Sequence, residues 1–162
     1  MLLLQNEIAC VNYLISKAAE RGMIVALNPS PLDKALLEGP LDKVSIFILN
    51  EDEAMGITEK SEPKEIIDEL VSRYPNARII LTLGSKGAVY AHKDERIAQP
   101  AYTVNAVDTT GAGDTFTGYV LANMAQNRTM QECMSRAAKA ASIAVTRRGA
   151  ASSIPYADEV QV

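Results

Sequence analysis

Apolar residues recur along the chain with two different periods, and the switches between them mark out the elements. Over residues 7 to 21, EIACVNYLISKAAER, the positions Ile8, Val11, Leu14, Ile15 and Ala18 keep a helical spacing, and Gly22 is placed to end that helix. MIVALN (23–28), VSIFILN (44–50) and ARIILTLG (77–84) are short apolar runs, which predict strands buried on both faces. PSPLDKALLEGP predicts a loop with one or two helical turns, and a short helix is expected at 51–55. Pro63 opens a helix that runs through Tyr74 with Glu and Lys on its wet face. Gly84 and Gly87 make a turn into a further run, AVYAH (88–92). The Ala-rich segments 113–127 and 130–147 predict two closing helices joined around Asn127 and Arg128.

Helices alternating with continuous apolar strands imply an α/β fold, a mostly parallel sheet covered by helices on both faces. Ligands of such open sheets sit beyond the carboxyl ends of the strands. Asn28, Asn50 and Gly84 fall at such ends, so three polar or glycine positions are expected to share one rim.

Composition narrows the classes without choosing one. The 162 residues, 48% of them hydrophobic, suit a single globular domain with a substantial core. A net charge of -4 and the lack of any Lys/Arg run argue against nucleic acid as a partner. Cys10 and Cys133 stand far apart and outside any C-x-x-C, which predicts two buried thiols in a cytoplasmic protein. MLLLQNE lacks a basic start and a long apolar core, and no run approaches a membrane span, so neither secretion nor a membrane is expected.

Chemistry concentrates in DTTGAGDTFTGY (108–119), where glycines and an aspartate meet at the mouth of a helix. Helix N-termini attract anions through unpaired N–H groups and the helix dipole. Gly111 and Gly113 allow a tight turn and close approach to a phosphate. Asp114 would repel a bound phosphate, yet it suits a base that takes the proton of an attacking hydroxyl; the plainer reading is an N-cap. No P-loop pattern and no G-x-G-x-x-G dinucleotide pattern occurs.

DTTGAGDTF resembles the signature of the pfkB, or ribokinase-like, carbohydrate kinases. VALNPSP, ILNEDEA, LTLGSKG and AVTRRGAASSIP are similar to further motifs of the family's ribokinase branch, in the same order, from about Leu3 to Pro155. The resemblance implies a three-layer αβα fold and phosphoryl transfer from ATP to the primary hydroxyl of a sugar, ribose before others. Asp114 is then the catalytic base, and Gly111, Ala112 and Gly113 form its anion hole. Asn50 and Glu53 match an N-x-x-E motif of the Mg²⁺ and phosphate surroundings, and Thr82, Leu83, Gly84, Ser85, Lys86 and Gly87 match a loop lining the ATP. Glu7 matches a ribose-contacting glutamate. A monovalent cation, K⁺ above all, is implied beside Asp108, Thr110, Ala144, Arg147, Gly149 and Ser153, chiefly through backbone carbonyls.

Plainer roles stand beside these. Asn50 could cap the helix starting at Glu51, Arg147 and Arg148 could meet the last carbonyls of a helix, and Lys86 could face solvent. His92 reads as exposed and idle, and Met124, Met130 and Met134 as filling. Tyr119 and Ala138 depart from family habit at a small position and at an adenine-side position. Measured against the family, residues 1–162 correspond to the carboxy-terminal nucleotide-binding and catalytic part, without the amino-terminal half and its β lid. An open sheet edge and apolar surface then favour self-association. The alternatives to a ribose kinase are a non-catalytic nucleotide-binding module, or a family member acting on fructose, a nucleoside or ketodeoxygluconate. A dinucleotide-dependent dehydrogenase domain is more distant, its glycines and acid being misplaced.

Overall fold

Residues 1–162 are all described by the computed structural model. Its elements, in chain order, are β1 (Leu2–Gln5), α1 (Val11–Glu20), β2 (Val25–Asn28), α2 (Lys34–Leu37), β3 (Ile46–Asn50), α3 (Glu51–Thr58), α4 (Pro63–Arg73), β4 (Arg78–Thr82), β5 (Ala88–His92), β6 (Glu95–Gln99), α5 (Ala112–Ala125) and α6 (Met130–Ala144). The sheet runs in the order β1-β2-β3-β4-β5-β6. β1 to β4 are parallel neighbours, with Leu4 opposite Leu27 and Ile48 opposite Ile80. The fold is thus α/β with a mostly parallel sheet, as the apolar runs imply.

Two compact units form: Met1–Thr82 with Tyr90–Arg96, and Leu83–Val89 with Ile97–Val162. In the first, Val25, Leu27, Ile46, Phe47, Ile79 and Ile80 have no exposed surface, because strands covered on both faces must be apolar on both. Asn28 and Asn50 end β2 and β3 as expected, whereas β4 stops at Thr82, before Gly84; the parallel register sets Asn28, Asn50 and Thr82 on one rim. In the second unit α5 packs along α6, burying Phe116, Val120, Met134 and Ala137. No helix is long and apolar enough to cross a membrane.

Several boundaries differ from the sequence pattern. α1 begins at Val11, not at Glu7: Cys10 takes a left-handed φ of 66°, and Ile8, 53% exposed, stays outside the helix. The preceding turn is tied elsewhere, with Asn6 N–H and Nδ2 donating to the carbonyls of Ser30 (2.9 Å) and Pro31 (2.8 Å). Cys10 is consequently exposed, and only Cys133 is a buried thiol. α3 continues to Thr58, and α6 stops at Ala144, leaving Arg147 and Arg148 beyond the helix. Neither β1 nor β6 stands out in the pattern: β1, LLLQ, is apolar but only four residues long, and β6, ERIAQ, has just two apolar residues. His92 is half-buried, its Nδ1 3.1 Å from the carbonyl oxygen of Ala77.

Candidate active site

The candidate residues fall into two groups, one in each unit. In the first unit the chain leaves β3 straight into α3, and Asn50 is the N-cap. Its Oδ1 accepts the Glu53 N–H at 2.9 Å while Glu53 Oε2 accepts the Asn50 N–H at 3.0 Å, a reciprocal capping box. Asn50 Nδ2 also donates to Glu53 Oε1 at 3.0 Å. Both oxygens of a carboxylate only 8% exposed are therefore engaged within the pair. The capping role of Asn50 is present in full. Thr82, at the end of β4, donates its hydroxyl to the carbonyl of Leu49 at 3.3 Å, and Glu7 is exposed in the turn after β1.

The second unit holds the remaining residues. Leu83 to Gly87 form a tight turn, with Leu83 N–H donating to Gly87 O at 2.8 Å and Gly87 N–H to Gly84 O at 3.1 Å. Ser85 and Lys86 are exposed on it. α5 opens differently from α3. Its N-cap is Gly111, at φ 74°, and no side chain caps it. Asp114 is the third helical residue, exposed, so it is not the N-cap that its place after a glycine suggested. Thr115 holds the turn by donating both its N–H (2.9 Å) and its hydroxyl (2.8 Å) to Gly111 O. A Cβ built on Gly113 would meet nothing within 4 Å, so space lies open before the first turn. Ala112 N–H donates to Thr109 O at 3.2 Å. Beyond such local bonds the first turn of a helix lacks the carbonyl partners of its interior, and the helix dipole makes that end positive.

Asp108 ties this opening to a second loop. Its Oδ1 accepts the Thr110 N–H at 3.0 Å and its Oδ2 accepts the Gly149 N–H at 2.9 Å. The Gly149 N–H first, and then the Thr110 hydroxyl and N–H, lower its pKa from the ordinary 3.8 to about 2. Val145 O accepts the N–H groups of both Val107 (2.7 Å) and Asp108 (3.1 Å). Of the six residues assigned to a monovalent cation, Asp108, Thr110 and Gly149 are thus directly joined. Ala144 O accepts the Arg147 N–H at 3.0 Å, and Ser153, fully buried, donates its hydroxyl to Ala150 O at 2.7 Å. The Arg147 guanidinium pairs with Glu159 and not with the carbonyls of α6. Val145, Ala150 and Glu159 escaped the sequence reading. Val145 and Ala150 act through backbone atoms, which leave no side-chain signature, and Glu159 lies in an otherwise unpatterned tail.

Comparison with known proteins agrees with this architecture. A model of the pfkB family carbohydrate kinases matches residues 3–157. The deoxyribokinase of Salmonella typhi is 32% identical, over 98% of this chain and 53% of its own length. The ribokinase of Lactococcus lactis is 34% identical, over 99% of this chain and 52% of its own. The structure of Arabidopsis thaliana ribokinase complexed with ribose and ATP has a TM-score of 0.83 at 30% identity, covering 98% of this chain and 53% of that one. The chain spans about half the length of the curated relatives it matches. Since the family model takes in nearly every residue, the chain belongs to the pfkB family of carbohydrate kinases.

Proposed function

We propose that this chain serves ATP-dependent phosphoryl transfer to the primary hydroxyl of a sugar, with D-ribose as the acceptor. The observation that carries the reading is the opening of α5: a glycine N-cap, no side-chain cap, open space at Gly113 and a carboxylate at the third helical position. The backbone dipoles of the turn through Gly111, Ala112 and Gly113, with the Ala112 N–H shared with Thr109 O, face the oxygens of the phosphoryl group in flight. Asp114 takes the proton of the sugar hydroxyl as its oxygen bonds to phosphorus and the bond to the ADP oxygen breaks. The turn from Thr82 to Gly87 lies against the nucleotide, and Glu7 hydrogen-bonds the sugar.

Mg²⁺ fits the residues present only indirectly. Glu53 has both oxygens engaged with Asn50, and no group of three carboxylate, histidine or cysteine side chains converges. That donor set suits a hard ion held by phosphates and water, with Glu53 reached through water. Bound there, Mg²⁺ would neutralise charge on the phosphates. The loop from Ala144 to Ser153 suits a monovalent cation in its chemistry, since its donors are carbonyls and Arg147 is already neutralised by Glu159. Equal rates in K⁺ and Na⁺ would remove K⁺ from this reading.

The test is ribose-dependent release of ADP from ATP and Mg²⁺, for the chain and for Asp114→Asn. The expected result is a loss of roughly 10²–10⁴-fold in turnover, the usual weight of a general base, with ATP binding kept. Wild-type turnover in Asp114→Asn would remove the base assignment. ATP binding without any ribose-dependent release would favour a nucleotide-binding module over a kinase.

A further inference from the structure

The opening of α5 depends on a loop that its own helix does not hold. Gly111 sits at φ 74° with no side-chain cap. Its missing Cβ would lie 3.4 Å from Ala150 Cα, so the turn rests against the loop that follows α6. The bonds that hold this stretch include two from Val107 and Asp108 N–H to Val145 O, and those that the Asp108 carboxylate accepts from the N–H groups of Thr110 and Gly149. Gly149 reaches Asp108 with a φ of 97°, and a Cβ there would come within 2.5 Å of Ser152 Oγ.

A carboxylate is the group that this arrangement requires. Ionised, it offers two acceptor oxygens, so it takes one N–H from its own loop and one from a loop 41 residues away. An amide of the same shape has one acceptor and would turn an NH₂ toward one of the two N–H groups. Unpaired N–H groups at that point would be hydrated and the turn released.

We propose that Asp108 is a positioning residue, whose carboxylate clasps the loop from Val107 to Gly111 onto the loop from Val145 to Ala150 and so fixes the anion-binding turn without any cation. This rests on reading the opening of α5 as the phosphate site. A monovalent cation, where present, then adds to a turn already formed.

Amide hydrogen exchange followed by NMR tests the clasp on the chain in K⁺-free buffer, with ADP and Mg²⁺ affinity measured in parallel. The wild type is expected to protect the Thr110 and Gly149 amides without K⁺. In Asp108→Asn, exchange at both rises by about tenfold or more, as expected when a charge-assisted hydrogen bond is lost, while β2 and β3 amides keep their protection. ADP affinity falls with it, and added K⁺ does not restore the two amides. Wild-type amides that become protected only when K⁺ is added would overturn the proposal. So would Asp108→Asn that leaves them protected, or that frees them with ADP affinity unchanged. Should Asp108→Asn unfold, loss of β2 and β3 protection reports it, and the wild-type comparison with and without K⁺ still decides. A wild type that protects both amides yet binds no ADP would remove the phosphate reading and leave the clasp standing.

Discussion

Two helices of this chain begin in opposite ways. α3 starts with its own side chains closed over its first turn, Asn50 and Glu53 each satisfying the other's N–H. α5 starts at a left-handed glycine with no side chain over its end, and its turn is held from behind by Asp108 and Val145. Capping satisfies a helix end with the protein's own acceptors, whereas an uncapped end keeps its donors for something else. Asp114 in the first turn of α5 therefore lies at an end that no side chain closes. Glu53 in the first turn of α3 is already spent on closing that helix.

The largest effect expected on this contrast comes from Gly111→Val. A β-branched residue at φ 74° is strained by roughly 1–3 kcal/mol, and the added carbons press on Ala150. Thermal unfolding should report the loss and calorimetry the disappearance of ADP binding. Retention of full ADP affinity would mean that the turn is not the anion site.

Asn50→Ala comes next. Removing an N-cap of this kind costs about 1 kcal/mol, and the buried Glu53 loses two of its partners at once. If α3 is closed for structure alone, stability falls and ADP affinity does not change. A loss of Mg²⁺-dependent affinity with stability unaltered would break the comparison and give the Asn50–Glu53 pair a direct part in the phosphate surroundings.

The features legible in the sequence were those with a local signature. β2, β3 and β4 are apolar on both faces because they are buried on both, and unbroken runs announce that. N-x-x-E after a strand announces a capping box, and GAGD announces a turn at a helix mouth. β1 is not legible because its run is too short: MLLL is continuous and apolar, but four residues at a sheet edge, with Leu3 44% exposed, do not distinguish a strand from other apolar starts. The start of α1 was misplaced because helical periodicity continues through Ile8, while Cys10 and the bonds of Asn6 stop the helix short. The clasp was hidden for a different reason. Asp108 bonds the main chain of Gly149, 41 residues on, and a backbone partner imposes no residue type. Sequence placed Asp108, Thr110 and Gly149 together only through a family resemblance; coordinates supply the bonds between them.

Gly113→Ala gives the smallest change in stability and the sharpest reading of the contrast. The backbone there is helical and open space surrounds the site of the added methyl, so nothing in the chain itself calls for glycine. Alanine should stabilise α5 by about 0.5 kcal/mol, the low end of its usual advantage because the site is in the first turn. A phosphate seated on that turn would meet the methyl, so ADP affinity should fall while the melting temperature rises. Opposite signs in the two measurements cannot come from a folding defect. If both rise or both stay level, the space before Gly113 is solvent, and the uncapped end of α5 has no ligand to explain it.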